Sequence, residues 1–248
     1  FKAPTTNQLV ARRFSSVNNS AIDPDFAGNP DLKPERALGV DAAYEHYLGT
    51  QGALISVSTS VRKIKDFIRN DLREMFINGE QRWVMLPTNG GEATTRGLEL
   101  EAKFPLKAMS VTAPNIDLRA SLARNWSNVD SVPGPDNRLA EQTPVSATLA
   151  FDYKNGALSA GSSYVFRNGG YVRVSGTQAA YQSVRRELEA YLLWKFDPRR
   201  QLRVTLANVL AEDFVNETYV VRPGIDTSRR TQVFPSPMLV RATWEQKF

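Results

Sequence analysis

Along most of the chain apolar and polar residues take alternate positions, and no apolar stripe at i, i+3, i+4, i+7 persists, so the pattern is that of strands. It predicts nine of them: Pro34 to Leu48, Ala53 to Ile68, Thr95 to Phe104, Ile116 to Ser127, Pro144 to Lys154, Ala157 to Arg167, Glu187 to Phe196, Leu202 to Phe214 and Phe234 to Phe248. The connections alternate in length. Gly49 to Gly52, Asn155-Gly156 and Asp197 to Arg200 are short turns, and 105–115 is intermediate but falls in the short series. Segments 69–94, 128–143, 168–186 and 215–233 are long, polar and carry glycine or proline. Short turns at one end and long loops at the other is the asymmetry of an outer-membrane barrel, and a soluble sandwich has no reason to keep it.

The two faces of each strand differ as lipid and water would require. Met238, Val240, Ala242, Trp244 and Phe248 share one face of the last strand, with Arg241, Thr243, Glu245 and Lys247 on the other. Leu98, Leu100, Ala102 and Phe104 oppose Glu99, Glu101 and Lys103 in the same way, and Val145, Ala147, Leu149 and Phe151 oppose Thr148 and Asp152. A Lys or Arg at the lipid midplane costs about 2–4 kcal/mol, so a one-residue slip is forbidden. Strands running toward the short turns finish in aromatics: Tyr44 and Tyr47, Phe104, Phe151 and Tyr153, Trp194 and Phe196, then Trp244 and Phe248. Rings gathered at one end read as an interfacial girdle. The alternation changes phase after Val61, which predicts a bulge near Arg62 or Lys63.

Composition changes this picture little. No apolar run is long enough for a membrane helix, but a transmembrane strand needs only about ten residues, half of them polar, so the mean hydropathy of -0.37 decides nothing. The absence of cysteine removes disulfides and thiolate metal sites. The 31 Lys and Arg against 26 Asp and Glu leave a charge of +5 that is scattered, so a nucleic-acid surface is not indicated. The opening Phe1-Lys-Ala-Pro, without initiator Met or leader-like segment, is read as the start of a fragment.

Particular words then stand out. Phe1-Lys-Ala-Pro-Thr with Gln8-Leu9, followed by Asn29-Pro-Asp-Leu-Lys-Pro-Glu35 entering a strand, resembles the FRAP and NPNL boxes of TonB-dependent outer-membrane receptors. Gly97-Leu-Glu-Leu-Glu101, Asn208-Val-Leu210 and the terminal Phe248 resemble the same family, and the match covers essentially residues 1–248. The resemblance implies an all-β, antiparallel transmembrane β-barrel in the bacterial outer membrane. This chain would supply the C-terminal nine or ten strands of a larger barrel plugged by an N-terminal domain, with TonB contact made by the absent part. It implies a receptor that imports a scarce nutrient, such as a ferric siderophore, on TonB-supplied energy. Trp244 and Phe248 resemble the signal read by the barrel assembly machinery, from which Gln246 departs. Haem receptors of the family resemble one another in a histidine between the boxes, and Thr5 to Gly28 has none.

Catalytic chemistry finds little material. The single histidine, His46, sits beside Tyr44 and Tyr47 at a short-turn end, so neither a catalytic triad nor a multi-histidine metal site is expected, and no cofactor is implied. Glu99 and Glu101, with Lys103 equally spaced, read as a solvated lumen wall rather than an acid–base pair. The long loops are rich in arginine with aromatic neighbours. Arg12, Arg13, Arg73, Arg82, Trp83, Arg173, Tyr181, Arg229 and Arg230 are the candidate ligand-binding residues, because guanidinium and ring together suit an anionic, ring-bearing ferric chelate. The same charges could instead face lipopolysaccharide phosphates or keep the loops soluble. A passive porin or an outer-membrane hydrolase are the rival functions, the latter lacking a base at the loop end.

Overall fold

The computed structural model describes residues 1–49, 52–222 and 226–247; Phe248 and part of the turn at 49–52 lie outside the described residues. The chain opens with one helical turn, α1 (Thr6–Leu9), and two short strands, β1 (Arg13–Phe14) and β2 (Asp25–Ala27). Long strands β3 (Arg36–Leu48) and β4 (Ala53–Lys65) precede a hairpin, β5 (Ile68–Ile77) and β6 (Glu80–Asn89). Then come β7 (Ala93–Pro105), β8 (Ile116–Val129), β9 (Val145–Asn155) and β10 (Leu158–Arg167), and the short pair β11 (Gly170–Arg173) and β12 (Gln178–Gln182). The chain ends in β13 (Arg185–Asp197), β14 (Arg200–Ala207), the hairpin β15 (Phe214–Arg222) and β16 (Asp226–Phe234), and β17 (Leu239–Gln246).

Nine strands form one antiparallel sheet in the order β17-β14-β13-β10-β9-β8-β7-β4-β3, and they are the nine the alternation predicts. The sheet is not closed; β3 and β17 are its edges. Register confirms the split of faces. Leu100 lies between Val57 and Leu122, and Phe151 between Leu118 and Ser162, while Glu99 lies between Ser58 and Ala123, and Thr205 between Tyr191 and Arg241. The apolar face is left bare: Leu149 is 59% and Val240 62% exposed, as side chains meant for hydrocarbon would be. The polar face is cross-linked by its own charges, with Arg62 on Asp41 (2.7 Å) and Lys103 on Glu101 (3.0 Å). Arg119 and the Tyr191 hydroxyl (2.6 Å) both reach Asp152. Gly161 makes room for this last contact, since a Cβ there would lie 2.6 Å from the Tyr191 ring. Two cavities of about 450 and 380 Å³ are lined mainly by this face.

The structure corrects several details. β4 pairs without interruption to both neighbours, so there is no bulge at Arg62 or Lys63; Lys63 stays on the apolar face because it lies beyond the hydrocarbon band. The register shift falls instead at Lys195 to Asp197. Tyr47, three residues from Tyr44, is on the polar face, where its hydroxyl donates to Glu45 (2.8 Å), and does not join the girdle. β14 stops at Ala207, not Phe214, because Asn208 (φ 52°) and Ala211 (φ 49°) turn the chain. Phe234 ends β16 and pairs with Phe214, so the last strand starts only at Leu239.

The segments read as long loops are mostly sheet. β1-β2-β6-β5 and β11-β12-β15-β16 form two further four-stranded sheets beyond the long-loop end, with β2 running parallel to β6. A small apolar cluster of Ala93, Val129 and Val132, with Ile64, Phe67 and Leu139 against it, ties the bases of the loops to the main sheet.

Candidate functional site

In the first loop sheet everything converges on Asp25, whose side chain is fully buried. Arg82 donates through Nε (2.8 Å) and Nη2 (2.8 Å), Arg13 through Nη1 (2.7 Å), Asn19 through Nδ2 (3.0 Å) and Ser16 through its backbone N–H (2.8 Å). The Arg82 hydrogen bonds hold the Asp25 carboxyl well below the usual carboxylate range, and Ser16 and Asn19 add to this against the upward push of burial. Two of the predicted ligand arginines, Arg13 and Arg82, therefore already hold a carboxylate of the protein. Arg73 shares their face of the sheet and lies 3.4 Å from Asp71. Trp83, next to Arg82 in sequence, is on the opposite face, because consecutive strand residues alternate. Arg12 lies over the Phe14 ring at 5.5 Å.

The second loop sheet assembles residues the sequence keeps far apart. Tyr171 pairs with Tyr181, Tyr181 with Glu217 and Glu217 with Thr231. Two residues along, Arg173 pairs with Ala179, Ala179 with Tyr219 and Tyr219 with Arg229. One face thus carries Tyr171, Tyr181 and Tyr219 with Arg173 and Arg229. The guanidinium of Arg229 lies over the Tyr219 ring at 6.0 Å, and Tyr171 meets Tyr219 at 6.1 Å. Both the Tyr219 hydroxyl and Arg229 hydrogen-bond Glu217. The Tyr219 contact, with Arg229 and Thr231 behind it, lowers the Glu217 pKa, and the same bond raises that of Tyr219. Arg230 is on the other face and reaches Asp23 of the first loop (3.6 Å), bringing the two loop regions together.

Arg173 also lines a cavity of about 350 Å³, together with Lys2, Arg69, Arg138 and the apolar Val132 and Leu139. Arg138 was missed from sequence, having no aromatic beside it. It donates from Nη1 to the Tyr171 carbonyl (2.6 Å), its Nε is buried without a hydrogen-bond partner, and desolvation lowers its pKa. The charge of Asp136 opposes that lowering, but no ion pair to Arg138 is formed among the described residues. The hollow also carries Glu141, and Lys2 and Arg69 are held by Glu35 (3.7 Å) and Asp71 (2.9 Å), so Arg138 and Arg173 are the cations it offers to an anion, beside a tyrosine-bearing face suited to stacking rings.

The carboxylates and the histidine considered for covalent chemistry are not brought together among the described residues. His46 stacks on Tyr44 (6.3 Å) on the apolar face, and Glu101 is engaged by Lys103. No group of metal-ligating side chains occurs among the described residues.

Comparison with known proteins bears on the family and the fold. A family model described as TonB dependent receptor-like, beta-barrel, matches residues 1–209. Among solved structures, a ferric enterobactin receptor of Pseudomonas aeruginosa bound to enterobactin is similar with a TM-score of 0.65 at 14% identity, over 98% of this chain and 37% of that one. The copper transporter OprC gives 0.60 at 18% identity (88% and 32%), and the FrpB iron transporter of Neisseria meningitidis 0.58 at 15% (90% and 32%). At such identities the likeness is one of fold. The chain spans about a third of the length of these structures. No curated protein matches it significantly.

Proposed function

The chain belongs to the TonB-dependent receptor-like β-barrel family, and on that premise we propose that it forms wall and loops of an outer-membrane receptor that imports a ferric chelate with TonB-supplied energy. The observation that carries the proposal is the shared face of Tyr171, Tyr181, Tyr219, Arg173 and Arg229, continuous with the cavity of Arg138. Ferric siderophores join anionic oxygens to rings or amides. A half-desolvated guanidinium with a buried, unpaired N–H gains more from such an anion than a solvated one does.

In this reading the loop sheets capture the chelate, with Arg173, Tyr181 and Arg229 in contact and Arg12, Arg73, Trp83 and Arg230 at the rim. Arg13 and Arg82 position the first loop through Asp25. The polar wall with Arg119, Asp152, Tyr191, Arg203 and Arg241 then offers a hydrated path once the plug moves. Contact with TonB belongs to another part of the receptor. Trp244 and Phe248 serve recognition by the barrel assembly machinery.

The test is binding of a panel of ferric siderophores to the full-length receptor. R173A/R229A is expected to weaken the preferred chelate about 10–100-fold, from charge-assisted bonds worth about 1.5–3 kcal/mol. Unchanged affinity for every chelate would sink the reading.

A further inference from the structure

On four strands of the main sheet, β3, β4, β7 and β8, the apolar face is charged at one end only, whereas β14 carries Arg200 on that face at the short-turn end. Register puts Arg36 beside Lys65, Lys63 two residues on, Arg96 beside Val61 and Arg124 beside Leu98. These five cations lie on four neighbouring strands, β3, β4, β7 and β8, toward the end that carries the loop sheets, Arg124 two residues beyond Leu122 and Lys65 eight beyond Val57. At the opposite end the same face of those strands holds Tyr44, His46, Ile55, Ala102, Phe104 and Leu118, with no formal charge.

Protein carboxylates answer only part of this charge. Glu92 pairs with Lys63 (2.7 Å) and Lys65 (3.9 Å), and Asp66 with Arg36 (3.0 Å). Arg96 and Arg124 have no carboxylate partner among the described residues; Arg124 lies over the exposed Trp126 ring at 5.5 Å, and Trp126 is the cross-strand neighbour of Arg96. Two guanidiniums flanking an interfacial ring, directly above a hydrocarbon-facing band, are costly unless an anion in the membrane meets them. Long cationic stems snorkelling to water would serve equally at either end. Their confinement to the loop end selects the outer leaflet.

We propose that Arg96, Arg124 and Trp126, backed by Lys63, Lys65 and Arg36, form a docking surface for the phosphorylated glycolipid headgroup of the outer leaflet, lipopolysaccharide. Each arginine takes a phosphate in bidentate fashion, and the indole packs against the sugar or the first acyl carbons. The surface rests on the barrel reading but not on which chelate is imported.

The test titrates the full-length receptor in detergent with purified lipopolysaccharide and with the same lipid enzymatically dephosphorylated. R96A/R124A is expected to bind the phosphorylated lipid about thirtyfold more weakly than wild type, each basic residue near an anionic lipid surface being worth roughly fivefold. The difference should vanish with the dephosphorylated lipid, and R96K/R124K, which keeps the charge but not the bidentate fork, should bind between wild type and R96A/R124A. Equal binding by wild type and R96A/R124A, or equal binding of the two lipids by wild type, overturns the assignment. Recovery of both proteins in the outer-membrane fraction, as heat-modifiable folded barrels, is scored separately, so failure of the barrel reading is distinguishable from failure of the lipid site.

Discussion

Asp25 shows how one residue sets what its neighbours can do. A carboxylate removed from water is tolerable only if its partners are charged and numerous, and Arg82, Arg13, Asn19 and Ser16 supply them. Because its folded pKa is depressed, its contribution is complete above the ordinary carboxylate value near pH 4 and is lost as pH falls from there toward the folded value. The first loop sheet is therefore expected to resist limited proteolysis at neutral pH and to loosen only in strong acid. Asp25→Asn should open it at neutral pH, at a cost of about 3 kcal/mol, because two guanidiniums lose their counter-charge. Equal cleavage of wild type and variant at pH 7 would contradict this. Nothing in the sequence singles Asp25 out from Asp23 or Asp31. Its importance comes from contacts reaching 57 positions along the chain.

Among the elements, the β5–β6 hairpin carries a local signal in its turn although its segment reads as a long loop. Asn78-Gly79 is a strong short-range turn signal, and both residues adopt positive φ (51° and 87°) as a two-residue hairpin turn requires. Length and polarity argue for a loop, yet a hairpin that buries only isolated residues such as Val84 and Pro87 needs no apolar alternation. Gly79→Ala should destabilise the hairpin by about 1–2 kcal/mol, the cost of a left-handed conformation for a residue with a Cβ. Hydrogen exchange of amides in Ile68–Asn89 would then quicken about 5–30-fold, and unchanged protection would mean the turn does not hold the hairpin. The β11–β12 pair has no such signal. Its partner β15 lies more than thirty residues on, and Tyr181 gains its place beside Glu217 only through that pairing.

For the whole molecule, the decisive property is which side of a nine-stranded wall each residue faces. Thr148 and Leu149 are sequence neighbours in β9, with Ser121 and Val165 beside the first and Ala120 and Tyr164 beside the second. Leu149→Arg should cost about 2–4 kcal/mol in folding into lipid vesicles, whereas Thr148→Arg, facing the hydrated side, should be nearly neutral. Equal penalties would deny that the two faces meet different solvents. The sequence by itself determined the nine strands, the end that carries the loops and the oily side, because a strand's period and a bilayer's chemistry are both written residue by residue. Only the tertiary structure decided which arginines are already held by Asp25, that Arg173 and Arg229 share a face with three tyrosines, and that Arg96 and Arg124 have no carboxylate partner among the described residues. Those facts depend on register between strands distant in sequence, and alternation fixes the face a residue occupies but not its neighbour across the ladder.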